Sequence, residues 1–118
     1  MSNLINLLPH FVARLRRALI AVDRSDLASQ LSEVAFVSHT YDSTCDAAYI
    51  YVQSPRKLNT VEQNIIGIKH GETIAVEDPH SVYIDVDNFG RLRGFELLQG
   101  GNIAAMLSRL INHPSETR

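Results

Sequence analysis

The first third of the chain has the apolar spacing of an amphipathic helix. Its apolar side chains recur three or four positions apart and so share one helical face: Leu4, Leu8, Phe11, Leu15, Ala18, Leu19 and Val22. Pro9 suits the first turn of a helix and cannot continue one, so we expect a short lead-in turn and a main helix over 9–22. Asp23 and Ser25 are candidate N-caps of a second helix. Residues 1–33 are therefore predicted to form a helical hairpin.

After residue 33 the apolar spacing changes to the alternation typical of strands. Six runs are rich in β-branched and aromatic residues: 35–39, 47–52, 64–68, 73–77, 82–87 and 92–98. Turn-forming residues separate most of them, at 42–44, 70–71, 78–79 and 88–90. Because these connections are too short for helical crossovers, residues 34–99 are predicted to form an antiparallel meander. The stretch 53–63 has the composition of a longer loop.

A last apolar stripe predicts a helix over 100–113 that Pro114 ends. Its members are Ile103, Met106, Leu107, Leu110 and Ile111. The expected fold class is thus α+β: an antiparallel β meander sheet with the N-terminal helical hairpin and this C-terminal helix packed on one face. We expect one domain over 1–118, because that length accommodates one modest core.

The hairpin around Asn88-Phe89-Gly90 can be assigned a register. If Gly90 supplies a left-handed residue in a three-residue loop, Asp87 lies opposite Arg91 and Asp85 lies opposite Arg93. The same pairing sets Tyr83 opposite Phe95, and these two would join two tyrosines of an earlier strand on an exposed aromatic face. That face is then Tyr49, Tyr51, Tyr83 and Phe95.

Glu96 is anomalous in this register, because it falls on the apolar side of the hairpin. A buried carboxylate needs hydrogen-bonding partners, and the hydroxyl of Tyr49 or Tyr51 could supply one. Glu96 is accordingly interpreted as a structural carboxylate that fixes the strand register. The alternative is a general acid or base with a raised pKa.

Charge and cysteine content exclude several classes of partner. The net charge is −2 and the pI is near 6.2, so there is no basic field to attract nucleic acid or an anionic membrane. Cys45 is the single cysteine, which excludes an intramolecular disulfide and favours a reducing compartment. The first residues lack the cationic flank of a signal peptide. We expect a cytoplasmic protein without a nucleic-acid or membrane partner.

Apparent metal and nucleophile motifs have simpler explanations. Asp85, Asp87, Gly90 and Glu96 fit calcium-loop spacing, but Phe89 holds a ligand position and the flanks alternate like strands. The histidines lack short spacing: His10, His39, His70, His80 and His113. A Cys45–His39 nucleophilic pair would lack an orienting group. No metal, no cofactor and no catalytic residue are therefore predicted.

A DNA-binding helix-turn-helix is not favoured either. Such a unit carries its basic and amide residues on the second helix. Here the arginines Arg14, Arg16 and Arg17 lie on the first helix, and the second segment is acidic. We interpret the arginines as a solvated helix face.

Several short motifs after residue 40 form a recognisable combination. They are Tyr41-Asp42, Asp46-Ala47-Ala48-Tyr49-Ile50-Tyr51, Thr73 and Asp85-x-Asp87-x-x-Gly90-Arg91-x-x-Gly94-x-Glu96-Leu97-Leu98. Over residues 36–98 the chain resembles the bacterial domain of unknown function 2283 family, with an extra segment at 53–71. The resemblance implies a compact antiparallel sheet and no particular activity. Some members are thought to be encoded beside small toxin-like proteins, so an antitoxin-like or immunity-like role becomes a hypothesis.

Three functions stay open from the sequence. The first is a small interaction or binding module whose binding residues are Tyr49, Tyr51, Tyr83, Phe95 and Glu96. The second is a small enzyme that uses Glu96 with nearby tyrosines, and the third is a structural homodimer. An exposed aromatic face favours self-association, and another small protein is the other expected partner.

Overall fold

The helices begin and end near the positions that the apolar spacing predicts. The computed structural model describes residues 2–77 and 80–112; the predicted turn at 78–79, His113 and the stop at Pro114 lie outside them. A short helix α1 (Leu4–Leu7) precedes α2 (Pro9–Ala21) and α3 (Ser25–Gln30), and α4 is Gly101–Asn112. Pro9 lies in the first turn of α2, as predicted. The expected side-chain caps of α3 are wrong, because Arg24 holds the N-cap position without a side-chain hydrogen bond.

Five strands form one antiparallel sheet, which together with the helices confirms the α+β class. They are β1 (Ala35–Asp42), β2 (Ala47–Gln53), β3 (His70–Glu77), β4 (Ser81–Asp87) and β5 (Leu92–Leu98). The order across the sheet is β1-β2-β5-β4-β3. A simple meander would place β3 beside β2, whereas here β5 holds that position and β3 lies at the edge. The long connection between β2 and β3 makes this arrangement possible, since it can pass across two strands.

That connection, residues 54–69, is called the connector below. The strand predicted at 64–68 is wrong, because the connector contains a π-helical turn at Glu62–Ile66. Asn59 and Glu62 exchange hydrogen bonds between side chain and backbone, at 3.0 and 2.8 Å, in the manner of a capping box. This exchange starts a helical turn where β-branched residues alone favoured a strand.

The α-helices cover one face of the sheet and leave the strands' other face without an α-helix against it among the described residues. The helices pack on one face, where the ring of Phe11 on α2 meets that of Phe95 edge-on at a centroid distance of 6.2 Å. Leu4, Leu19 and Ile84 are among the fully buried side chains of this core. The opposite face, called the outer face, carries the alternate side chains of the strands and is the face on which a site can open.

A β-bulge in β5 changes the predicted register. Val86 pairs with Leu92 as expected, but Asp85 pairs with Gly94, so Arg93 is an extra residue on β5. A shift of one residue sends every later side chain to the opposite face. The predicted Asp85–Arg93 pairing is therefore wrong.

The bulge also corrects the placement of two candidate site residues. Phe95 pairs with Ile84 and is 0% exposed, so it belongs to the core and not to an exposed aromatic face. Glu96 pairs with Tyr83 on one side and Tyr49 on the other, and it is exposed on the outer face. The predicted burial of Glu96 is wrong for the same reason.

Gly94 is required by the aromatic ring that lies on it. A Cβ at Gly94 would stand 2.6 Å from the Tyr49 hydroxyl and 2.7 Å from the carbonyl oxygen of Ile50, which is closer than van der Waals contact allows. Glycine inside a strand often marks a bulge or a close approach, and here it marks both. The absent side chain leaves room for the Tyr49 ring beside β5.

Gly90→Ala tests the loop beside the bulge. Gly90 has a φ of +78°, and a Cβ there would meet nothing within 4 Å, so the substitution changes backbone conformation without a clash. We expect chemical denaturation to show a loss of about 1–2 kcal/mol in the free energy of unfolding. Gly90→Asn should lose less, because asparagine tolerates this conformation better than alanine. Equal stability of Gly90→Ala and the parent would contradict the assigned loop.

Candidate binding site on the outer face

The connector and the outer face enclose a cleft of about 800 Å³. Strands β2, β4 and β5 form its floor, and the connector forms one wall. The side chains that give the cleft its chemistry are Tyr49, Tyr51, Lys57, His70, Asp85 and Arg93.

Asp85 is the centre of a hydrogen-bond network that joins three strands. The Tyr49 hydroxyl donates to Asp85 Oδ2 at 2.6 Å, and the Thr73 hydroxyl donates to Asp85 Oδ1 at 2.8 Å. His70 Nε2 lies 3.3 Å from the same threonine hydroxyl. Both oxygens of the Asp85 carboxylate thus have a donor before any ligand binds.

Burial and the bond to Asp85 raise the pKa of Tyr49 well above its usual value. The hydroxyl is protonated at neutral pH, as an ordinary tyrosine is, and it donates to Asp85. The ring of Tyr49 contacts that of Tyr51 with centroids 4.5 Å apart and planes inclined by 49°. Tyr51 is 44% exposed, so part of its ring is open to a ligand.

Asp87 and Arg91 anchor the end of the cleft. Asp87 is 3% exposed; its Oδ1 accepts from the backbone N–H groups of Phe89 and Arg91 at 2.8 and 2.9 Å, and its Oδ2 accepts from Arg91 Nε at 2.8 Å. Burial alone would raise the pKa of Asp87, but these hydrogen bonds outweigh it and hold the pKa below its ordinary value. The predicted pairing of Asp87 with Arg91 is confirmed.

Two arginines tie the connector to the β4–β5 loop. Arg91 donates to the Arg56 carbonyl oxygen at 3.0 Å, and Arg56 donates to the Phe89 carbonyl oxygen at 2.9 Å. Lys69 and Asn88 add a backbone hydrogen bond of 2.9 Å at the other end of the connector. This bracing holds Lys57, the neighbour of Arg56, at the cleft.

The structure brings together only part of the predicted site. Tyr49 and Tyr51 line the cleft. Tyr83 and Glu96 lie on the outer face beside it but do not line it, and Phe95 is in the core.

Sequence reasoning missed the cationic side of the cleft, Lys57 and Arg93, and the shared carboxylate of Asp85. A signal for the last was present, because Tyr49, Thr73 and Asp85 all belong to the quoted family motifs. The bulge at Arg93 could have been inferred from the sequence of β5, because the apolar positions that face the core shift by one residue near Gly94.

Candidate metal ligands stay apart within the described ranges. Over 2–77 and 80–112, no group of three or more histidine, cysteine, aspartate or glutamate side chains stands close enough to hold a metal ion. Cys45 is exposed, and His39 Nε2 lies 3.4 Å from the Ser108 hydroxyl of α4. Within the same ranges, none of the helices has the length and hydropathy to cross a membrane.

Comparison with protein families agrees with the motif combination. A family model described as "Protein of unknown function (DUF2283)" matches residues 39–99, just over half of the chain. The chain belongs to the DUF2283 family. No match was found among curated proteins or among solved structures. The DUF2283 span contains Tyr49, Thr73 and Asp85, so the hydrogen-bond network lies wholly inside the family region.

Proposed function

We propose that this DUF2283 protein is a binding module that holds a small ligand in the outer-face cleft. The observation that carries the proposal is the convergence of two tyrosine rings, a hydroxyl-bonded carboxylate and cationic side chains in one cleft of about 800 Å³. Ligand pockets of small molecules usually fall between about 300 and 1,000 Å³ and combine a flat or apolar wall with a few fixed polar groups.

The geometry supports binding better than catalysis. Asp85 already accepts two hydroxyl hydrogen bonds, and the raised pKa of Tyr49 makes it a poorer proton donor to a substrate, which favours binding over proton transfer. The enzyme hypothesis depended on a buried Glu96. Because Glu96 is exposed and makes no hydrogen bond to Tyr49 or Tyr83 among the described residues, that support for an enzyme is absent.

Self-association and binding of a protein partner stay predictions. The residues that would form such an interface differ from those expected from the sequence. Phe95 no longer contributes to an exposed face. Several exposed apolar side chains lie instead on the connector and on α4: Val61, Ile65, Ile66, Ile68, Met106, Leu110 and Ile111. An antitoxin-like or immunity-like role would use such a surface. The cytoplasmic location stays the prediction made from the single cysteine.

A fragment screen with matched variants tests the binding proposal. A library with equal numbers of neutral, cationic and anionic fragments is screened by ligand-observed NMR against the parent, Tyr51→Ala and Met106→Ala. Both substitutions truncate partly exposed side chains, 44% and 38% exposed, but only Tyr51 lines the cleft. We expect Tyr51→Ala to lose most fragments that the parent binds, because aromatic side chains carry much of a site's contact area.

Met106→Ala should keep the parent's fragments, because it lies on α4 away from the cleft. Denaturation curves of both variants establish that they are folded. The proposal is contradicted if Tyr51→Ala retains the parent's fragments, or if the parent binds none.

A further inference from the structure

The cleft is a cationic region in a protein of net charge −2. Arg56, Lys57, Arg91 and Arg93 line it. Two of them have protein partners, because Arg91 Nε is 2.8 Å from Asp87 and an Arg56 guanidinium nitrogen is 3.5 Å from Glu62. The side chains of Lys57 and Arg93 form no ion pair or hydrogen bond with any residue in the described part of the chain.

The carboxylates of the cleft do not balance these two cations. Arg91 offsets the charge of Asp87, but Asp85 keeps its negative charge, because its donors, the hydroxyls of Tyr49 and Thr73, are neutral. The single charge of Asp85 offsets one of the two cations and leaves the other unbalanced. A cationic ligand would therefore meet a cleft in which positive charge is in excess. An anionic ligand would meet two cations whose hydrogen-bonding capacity is unused, and charge-assisted hydrogen bonds to them are the stronger kind.

Tyr51 supplies the second half of the recognition. Its ring packs against Tyr49 at 4.5 Å on one side and is 44% exposed. An aromatic ring favours another planar ring in an offset or edge-on arrangement, beyond the burial of apolar area. The cleft thus pairs a flat aromatic surface with adjacent cations.

We propose that the cleft binds a small anion that carries a planar ring, such as a ring-bearing phosphate or carboxylate. Lys57 and Arg93 hold the anionic group, with lysine as a point charge and arginine as a planar fork, and the ring lies against Tyr51. This assignment rests on the proposed function and adds the chemical class of the ligand to it.

Calorimetric titration with four defined probes separates the parts of the assignment. AMP carries a ring and a phosphate, and 4-hydroxybenzoate carries a ring and a carboxylate. Adenosine has the ring without the charge, and inorganic phosphate has the charge without the ring. We expect AMP or 4-hydroxybenzoate to bind at least about tenfold more tightly than adenosine or phosphate, and the tighter of the two distinguishes phosphate from carboxylate. Added salt should weaken this binding.

Alanine variants test whether Lys57 and Arg93 bind the anionic group of the ligand. Lys57→Ala and Arg93→Ala should each weaken binding of the better probe by about fivefold or more. Lys69→Ala is the matched control, since Lys69 is an exposed lysine of the same connector that does not line the cleft, and it should bind like the parent. Lys57→Ala removes a connector side chain outside the sheet, so it gives a result even if Arg93→Ala disturbs the bulge.

Each contrary result contradicts one defined part of the ligand assignment. If adenosine binds as tightly as the better of AMP and 4-hydroxybenzoate, or if Lys57→Ala binds that better probe like the parent, the anion is contradicted. If phosphate binds as tightly as the better of AMP and 4-hydroxybenzoate, the ring is contradicted. If none of the four probes binds at millimolar concentration, the ligand class is wrong; the fragment screen then decides separately whether the cleft binds ligands at all.

Discussion

Phe95→Ala is expected to lower the free energy of unfolding by about 3–5 kcal/mol, whereas Glu96→Ala should change it by no more than about 0.5 kcal/mol. Phe95 is 0% exposed and meets the ring of Phe11 edge-on, so its truncation removes apolar contacts and leaves a cavity between α2 and the sheet. Glu96 lies on the outer face, exposed to solvent, and its truncation leaves neither a cavity nor an unsatisfied partner.

Urea denaturation of the two variants measures this difference directly. Phe95→Leu should fall between the parent and Phe95→Ala, because it keeps part of the buried volume. The opposite order, with Glu96→Ala strongly destabilised and Phe95→Ala nearly neutral, would mean that the hairpin has no bulge at Arg93 and that the register expected from the loop alone is correct.

Asp87→Ala should lower the free energy of unfolding by a similar amount, about 3–5 kcal/mol. Removal of one partner of a buried ion pair leaves the other charge unpaired. The substitution leaves the guanidinium of Arg91, whose side chain is 17% exposed, without its carboxylate partner. It also leaves the backbone N–H groups of Phe89 and Arg91 without their acceptor. Asp26→Ala is the matched control: it breaks an ion pair with Arg24 in which the Asp26 side chain is 61% exposed, and such surface pairs contribute at most about 1 kcal/mol.

The contribution of Asp87 should also depend on pH in a definite direction. Its pKa is lowered in the folded protein, so the folded state favours the carboxylate. The stabilisation is fully present above the unfolded pKa of about 3.9, and it is lost as the pH falls through the lower folded pKa. The stability difference between the parent and Asp87→Ala should therefore shrink below about pH 4. A difference that stays constant or grows on acidification would contradict the assigned hydrogen bonds.

The helices and most strands could be predicted because their apolar spacing is long and regular. The register beyond Leu92 could not be predicted from the loop at 88–90, which sets only the first pair. The apolar phase of β5 itself changes, with Leu92 before the bulge and Phe95 and Leu97 after it on the core face. That change, together with Gly94 inside a strand, is the sequence signature of a bulge, and strict alternation conceals it.

The residues of the candidate site likewise include some that local sequence patterns predict and others that they do not. Tyr49 and Tyr51 followed from period-two alternation within one strand. Lys57 reaches the cleft only because the connector is held against the β4–β5 loop by Arg56 and Arg91, and contacts between segments this far apart in the sequence have no local pattern. Arg93 was expected on the exposed face, but the expected pairing with Asp85 gave it a partner there, and the bulge removes that pairing.

Amide chemical-shift mapping tests most directly whether the outer-face cleft is a binding site. The ¹⁵N-labelled parent is titrated with the fragment that binds most tightly in the screen, and the shifted amides are assigned to positions. We expect the largest shifts at residues 49–58 and 85–93, which contain most of the cleft lining, and none along α4. Shifts confined to α4 or to the N-terminal helices would contradict the cleft as the binding site.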